Sequence, residues 1–348
     1  MSMRYQAGIM TASYFPLKVP NRPTGATATL ASGTSVSVAF TAPTDIGGGA
    51  ITGYTVVSSG GQIATGASSP VTVTGLTTGV AYTFVVYANN AFGNSPASAA
   101  SNSVTPIAQG QQAFTTAGTF SWVAPASVTS VSVIAVGAGG NGGSNIGGAG
   151  GALGYKNNIT VTPGNSYTVV VAAASSGSGT SSYFINTGTV NAPSGGNSST
   201  SQSANYTGDG GGRGGSGGAF PNGGGGGAGG YSGNGGNGGN GQGSSGSAGS
   251  GGGGGGGNGT TDSSLYLGSG AGGVGLLGQG SSGTGGDGGT GGSGGANGQP
   301  ASFGSPSGGG GIYGGGAGGG STGGTVGAVR IIWPGTTRQF PSTNTGNV

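Results

Sequence analysis

The sequence predicts an all-β fold: a β-sandwich, then a β-framed glycine-rich domain whose interior is a bundle of polyglycine II helices. Three observations lead there. Short alternating apolar runs, punctuated by Gly, Pro and Asn turns, recur between residues 21 and 107. Strand-like segments at 130–136 and 326–333 bracket a stretch holding most of the chain's 96 glycines. Inside that stretch, side chains return at every third position.

Residues 1–20 form an arm in which Arg4, Tyr5, Ile9, Tyr14, Phe15 and Leu17 are the candidate docking groups, and Pro16, Pro20 and Pro23 end it. The arm has no continuous apolar core, so it is not expected to act as a secretory signal. No 18-residue apolar span occurs, so no membrane crossing is expected.

From 21 to 107 the strands follow at short spacing. Val36, Val38 and Phe40 alternate with Ser37 and Ala39, a turn follows at 45–50, and further strands fall at 51–58, 71–74 and 81–88. The run from Gly75 and Leu76 through Tyr82, Phe84 and Val86 to Phe92 and Pro96 resembles the E–F corner, F strand and F–G loop of a fibronectin type III domain. Leu76 and Tyr82 match that family's tyrosine-corner positions. Phe40 stands where strand B usually carries Trp. The resemblance implies a spacer or binding platform rather than a chemistry.

The glycine-rich domain is expected over 108–335, with a tail at 336–348. Its β frame spans 112–185 and 326–333. Phe114, Phe120, Trp122 and Val123 begin it, and Val131, Val133 and Ala135 then alternate with Ser132, Ile134 and Val136. Further strands fall at 152–155, 159–161, 167–172 and 182–185, with Pro163 and Gly164 as a turn. The frame closes only if the final strand at 328–333 returns to the first ones.

The bundle is expected over about 208–325. Asn234, Asn237 and Asn240 recur in threes, as do Thr284, Asp287, Thr290 and Ser293, and Arg213, Ser216 and Ala219. A period of three belongs to the extended left-handed helix that rises about 3.1 Å per residue. Collagen shares the period but needs abundant imino acids, which these runs lack. Composition alone would make such chain a flexible linker, because glycine has the most backbone entropy to lose. Side-by-side packing offsets that cost, since bare backbones approach closely enough to pair their N–H and C=O groups. Breaks at 220–222, 231–232, 260–267, 274–277, 299–306 and 312–313 leave roughly five or six runs.

The chain has four acids, Asp45, Asp209, Asp262 and Asp287, and no Glu, His or Cys. General acid–base work and hydrolytic metal sites need such groups in clusters. No catalytic residue, cofactor or metal is therefore expected, and the chain reads as non-enzymatic. The net charge of +3 comes from seven scattered bases and forms no phosphate-binding stripe, so nucleic acid is not an expected partner. Gly137, Gly139 and Gly142 fit a dinucleotide fingerprint only if a helix follows, and more glycine follows instead.

Aromatic residues stand at the breaks: Tyr206, Phe220, Tyr231, Tyr266, Phe303 and Tyr313. On rigid loops they suit sugar stacking or receptor contact. The other role open to them is to plug gaps between the bundle and its frame.

From 112 onward the chain resembles glycine-rich domains of bacteriophage virion proteins. The likeness is carried by Gly118 to Pro125, the strand at 128–136, Gly150 to Ile159, Gly327 to Gly335 and the ending Phe340 to Gly346. It implies a tail-fibre or surface protein whose bundle loops contact a host glycan or outer-membrane receptor. In that reading residues 1–20 dock on other virion proteins, there is room for homo-oligomers, and a surface protein without an export signal is expected to reach the virion surface and be released by host lysis. A self-assembling extracellular filament or matrix subunit is the alternative, its arm inserting into the next copy.

Overall fold

The computed structural model describes residues 17–174, 180–197, 202–241, 243–259, 268–300, 308–321 and 323–342. The chain divides into two compact units, Met1–Ala108 and Gln109–Val348. Among the described residues all regular secondary structure is β, as the patterning predicts.

The first unit is a sandwich of two antiparallel sheets. Strands β1 (Thr24–Ser32), β2 (Ser35–Thr41), β3 (Gly53–Ser58), β4 (Ile63–Gly66), β5 (Val71–Val73), β6 (Phe84–Asn90) and β7 (Gly93–Asn94) pair in the orders β1-β2-β5 and β4-β3-β6-β7. Alternation decides which side chains face inward. Phe84, Val86 and Ala88 of β6 meet Val36, Val38, Val56 and Val73 in one core. Leu76 and Tyr82 join that core, and the Tyr82 hydroxyl accepts a bond from Thr77 N–H at 3.1 Å. Phe40 packs on Tyr54 at a ring separation of 4.7 Å.

After β7 the chain runs back along β6, three residues matched to two. Ser95, Ser98, Ser101 and Val104 donate N–H bonds to Ala88, Val86, Phe84 and Tyr82 carbonyls at 2.8, 2.9, 2.9 and 2.9 Å. The three serine hydroxyls accept from the Ala88, Val86 and Phe84 amides at 2.9, 3.0 and 3.1 Å. Serine side chains thus replace the carbonyls that a regular strand would offer.

In the second unit the strands are β8 (Gly110–Phe114), β9 (Gly118–Val123), β10 (Ser130–Val136), β11 (Leu153–Thr160), β12 (Ser166–Val171), β13 (Ser181–Phe184), β14 (Val190–Pro193), β15 (Gly210–Gly212) and β16 (Ala328–Trp333). They form two sheets, β15-β11-β10-β16-β8 and β14-β13-β12-β9. The last strand does return. β16 pairs with β10 from Ser132↔Ile332 to Val136↔Ala328.

β11 spans what the sequence divides into two strands. Asn158, at φ 52°, takes up an irregularity in the β10–β11 register, and the pairing resumes on both sides. β14 and β15 are not foreseen. β15 consists of three glycines and carries no side-chain pattern at all.

β10 is buried on both faces. Val131, Val133 and Ala135 pack with Val329 and Ile331 around Trp122, whose ring lies 5.9 Å from Phe184 and 5.7 Å from Trp333. On the other face, Ile134 and Val136 join Leu153, Tyr155, Ala328 and Ile332 in a second cluster with Tyr231, Val274, Leu276 and Phe340. That second cluster is the base on which the glycine bundle stands.

The sheet passes into the bundle without a break. Beyond the Val136↔Leu153 pair the same hairpin continues through Gly137 N–H to Ala152, Gly140 to Ala149 and Gly143 to Ile146, at 2.8, 2.8 and 3.0 Å. Bonds to one neighbour now come at every third residue instead of every second. The bundle therefore takes in 137–142, 147–152 and 193–197 as well as the chain from 211 onward.

Candidate functional site

Segment 223–230 shows how the bundle is built. Gly224 and Gly227 donate to Gly239 and Gly236; Gly225 and Ala228 donate to Ser269 and Gly272; Gly226 and Gly229 donate to Gly148 and Gly151. Its carbonyls at Gly227, Gly225 and Gly226 accept from Gly215, Gly257 and Gly316. Six segments thus surround it: 233–241, 268–275 and 147–152 receive its bonds, while 211–219, 252–259 and 314–319 return them. Three successive residues point to three different neighbours, as a threefold helix requires.

Segment 268–275 repeats the arrangement. Its amides reach Gly316, Gly255 and Ala296, and its carbonyls receive Ala228, Gly292 and Gly311. At most positions no side chain fits between such backbones. A Cβ on Gly224, Gly226 or Gly227 would fall within the carbonyls of Gly257, Gly215 or Gly254.

The segments run up and down, so their turns gather at two ends. The sheet end holds 231–232, 250–252, 276–277 and 312–314. The far end holds 143–146, 219–223, 240–244, 286–289 and 319–321. The far-end turns are tied in one layer by Gly223 N–H to Asn145 at 3.3 Å, Gly218 to Gly224 at 2.7 Å, Gly259 to Ser244 at 3.0 Å and Gly319 to Gly223 at 2.8 Å. Gly259 and Gly268, which flank 260–267, lie in this layer, as does Gly308, which follows 301–307.

The aromatic candidates separate between these places. Phe220 is 69% exposed on a far-end turn. Tyr231 is instead a core residue. It is fully buried at the sheet end, stacked 6.0 Å from Phe340, and its hydroxyl donates to Gly275 O at 3.1 Å while accepting from Gly278 N at 3.0 Å. Burial pushes its phenol well above the ordinary tyrosine range.

Tyr313 packs half-buried on the same cluster, beside a shallow groove with exposed Leu277 and Ile312. Tyr206 is half-buried beside Gly154 of β11, away from the far end. Tyr266 and Phe303 lie outside the described residues, as do Arg4, Tyr5, Ile9, Tyr14 and Phe15. Leu17 is 60% exposed. Next to it Lys18 and Asp45 form an ion pair at 2.8 Å, and the hydrogen bond from Lys18 holds the Asp45 carboxyl below its usual range.

The site residues that the sequence reading missed are the far-end asparagines and serines. Asn145 and Asn222 take φ of 65° and 59° to turn the chain there. Asp287 is the one charged side chain among the described residues of the far-end turns, and it accepts a bond from Ser269. No cluster of three metal-ligating side chains occurs among the described residues. The glycines at 137, 139 and 142 are extended bundle chain followed by a turn, not by a helix. No described helix is long and apolar enough to cross a membrane.

Comparison with known proteins gives two family matches: a fibronectin type III domain over residues 21–104 and a glycine-rich domain over 115–334. Among curated proteins, chitinase D of Niallia circulans is 42% identical over 81 residues, covering 23% of this chain and 15% of the chitinase. Among solved structures, titin module A71 from human cardiac muscle is 30% identical over 26% of this chain and 94% of the module, with a TM-score of 0.22. The twitchin kinase region from C. elegans is 24% identical over 26% of this chain and 17% of that structure, with a TM-score of 0.24. The glycine-rich match spans more than half of the sequence and includes the frame, the bundle and the returning strand, so the chain belongs to the glycine-rich domain family.

Proposed function

We propose that the protein is a non-enzymatic virion structural protein, a phage tail appendage or surface decoration that attaches to the host. In this reading residues 1–20 dock on other virion proteins and the fibronectin-like unit acts as a spacer. The far end of the bundle meets a host-surface glycan or outer-membrane receptor.

One observation carries the reading. The bundle fixes its far-end turns through backbone hydrogen bonds, and Phe220 is solvent-facing on one of them. The described far-end turns carry Ser144, Asn145, Asn222, Asn240 and Ser244, and Asp287 is the one charge among them. Aromatic rings held this way stack on sugar faces, and neighbouring amides and hydroxyls hydrogen-bond their rims.

The test is binding of labelled protein to host cells. Phe220→Ala is expected to weaken binding by about tenfold or more, the loss typical of a central aromatic contact, with the circular dichroism spectrum unchanged. Antibodies against 109–348 are expected to slow phage adsorption. If they do not, and Phe220→Ala binds like the parent, attachment is excluded. Spontaneous filament growth of the purified protein would instead favour the matrix-subunit reading.

A further inference from the structure

In a bundle where each helix has up to six neighbours, the outermost helices point some amides at positions no helix fills. Such a row is a template for another chain, as an unpaired strand edge is for a sheet. Segment 211–219 is in this situation. Gly215 and Gly218 donate to Gly227 and Gly224 of the central helix, whereas Arg213, Ser216 and Ala219 point elsewhere.

Asparagine side chains from the next segment meet those three amides. Asn234, Asn237 and Asn240 accept from Arg213, Ser216 and Ala219 N–H at 2.9, 3.0 and 2.9 Å. The glycine after each asparagine then donates to the carbonyl of the same residue: Gly235 to Arg213 and Gly238 to Ser216, both at 2.9 Å, and Gly241 to Ala219 at 3.3 Å. Each Asn-Gly step clamps both backbone polar groups of one residue across the way. The asparagines are exposed and the glycines between them are mostly buried, so the side chains stand on the outer surface. Elsewhere in the bundle Asn141, Asn258 and Asn297 side chains accept from the Gly324, Gly246 and Gly291 amides, without the second bond from the following glycine.

We propose that the 211–219 face is a latent interaction surface for a polyglycine helix of a second copy, and that Asn234, Asn237 and Asn240 keep it closed. The partner follows from geometry. Only a chain with the same three-residue repeat, about 9.3 Å at 3.1 Å per residue, meets all three amides in register, and the bundle itself supplies such chains. Glycine is compatible with all three positions, since the intervening residues of 233–241 are already glycine. Removing the side chains therefore opens the face without introducing bulk.

The experiment compares the parent with Asn234→Gly/Asn237→Gly/Asn240→Gly by sedimentation velocity over a concentration series, with amide hydrogen exchange read at Arg213, Ser216 and Ala219. The parent is expected to protect these amides. The triple variant is expected to form a species of at least twice the parent's mass as concentration rises. Adding Ser216→Lys, which puts a charge on the opened face, is expected to restore the parent's sedimentation. A single Asn237→Gly variant guards against misfolding and is expected to lose protection at Ser216 alone. Fast exchange at the three amides in the parent overturns the proposal. So does a folded triple variant that exchanges freely at these positions yet sediments like the parent.

Discussion

At the scale of single residues, the space around an α-carbon decides what the bundle accepts. A methyl on Gly226 would collide with the Gly215 carbonyl, whereas nothing lies within 4 Å of the methyl position of Gly286. Gly226→Ala is therefore expected to lower stability by about 1–3 kcal/mol, the usual cost of overpacking. Gly286→Ala should leave thermal unfolding almost unchanged. Equal melting temperatures for the two variants would contradict the packing described. Alanine does occur in the interior, at Ala228 and Ala271, and Ala228 directs its methyl into the apolar base. Composition does not mark which glycines are replaceable, because that depends on which carbonyl lies opposite.

At the scale of elements, the period of three proves to be a label for surface helices. Two of the three runs that show it, 211–219 and 233–241, lie on the outside with every third side chain turned outward; the third, from Thr284 to Ser293, is broken by the turn at 286–289 and ends on a buried serine. Segments with six neighbours, such as 223–230, have no period because nearly every position faces another backbone, Ala228 alone turning its methyl into the apolar base. The outer runs 211–219 and 233–241 were thus legible from their period, and the central helix only from the breaks at 220–222 and 231–232 that bound it. Turns were legible only where an aromatic, proline or bulky aliphatic residue interrupts glycine. At Gly251 and Gly252 the chain reverses at φ 52° and 80° with no change of composition, which is why five or six runs were expected and more are present.

In the sandwich unit the tyrosine corner was readable from Leu76 and Tyr82. The serine ladder was missed, although its spacing of three at Ser95, Ser98 and Ser101 is plain in the sequence. Ser98→Ala strips the buried Val86 amide of its acceptor. It is expected to cost about 1–3 kcal/mol and to speed exchange of the Val86 amide by native-state hydrogen exchange.

At the scale of the whole molecule, the scarcity of titratable groups makes stability nearly indifferent to pH from neutrality upward until tyrosine is reached. Tyr231 and Tyr155 are both raised, by burial first and, for Tyr155, by Asp209 and Tyr206 as well. Folding therefore favours their neutral forms. That contribution is complete below the unfolded tyrosine value of about 10 and is lost as pH climbs beyond it, because the unfolded chain ionises first. Chemical denaturation midpoints of the 109–348 unit are expected to hold steady from neutral pH to about 9 and then fall. Tyr231→Phe should flatten the fall. A flat parent profile beyond pH 11, roughly one unit above that ordinary value, would show that these phenols are not held neutral by the fold.

The six neighbours of 223–230 are drawn from chain as early as 147 and as late as 319. A ribosome that has delivered only the first two-thirds of this sequence has made the central helix but not its last neighbour, nor the strand β16 that completes the supporting sheet. The unit is thus committed to assemble from its whole length at once, a high-contact-order problem solved late and slowly. Until then the emerging chain stays open to wrong pairings with its own copies on the same message.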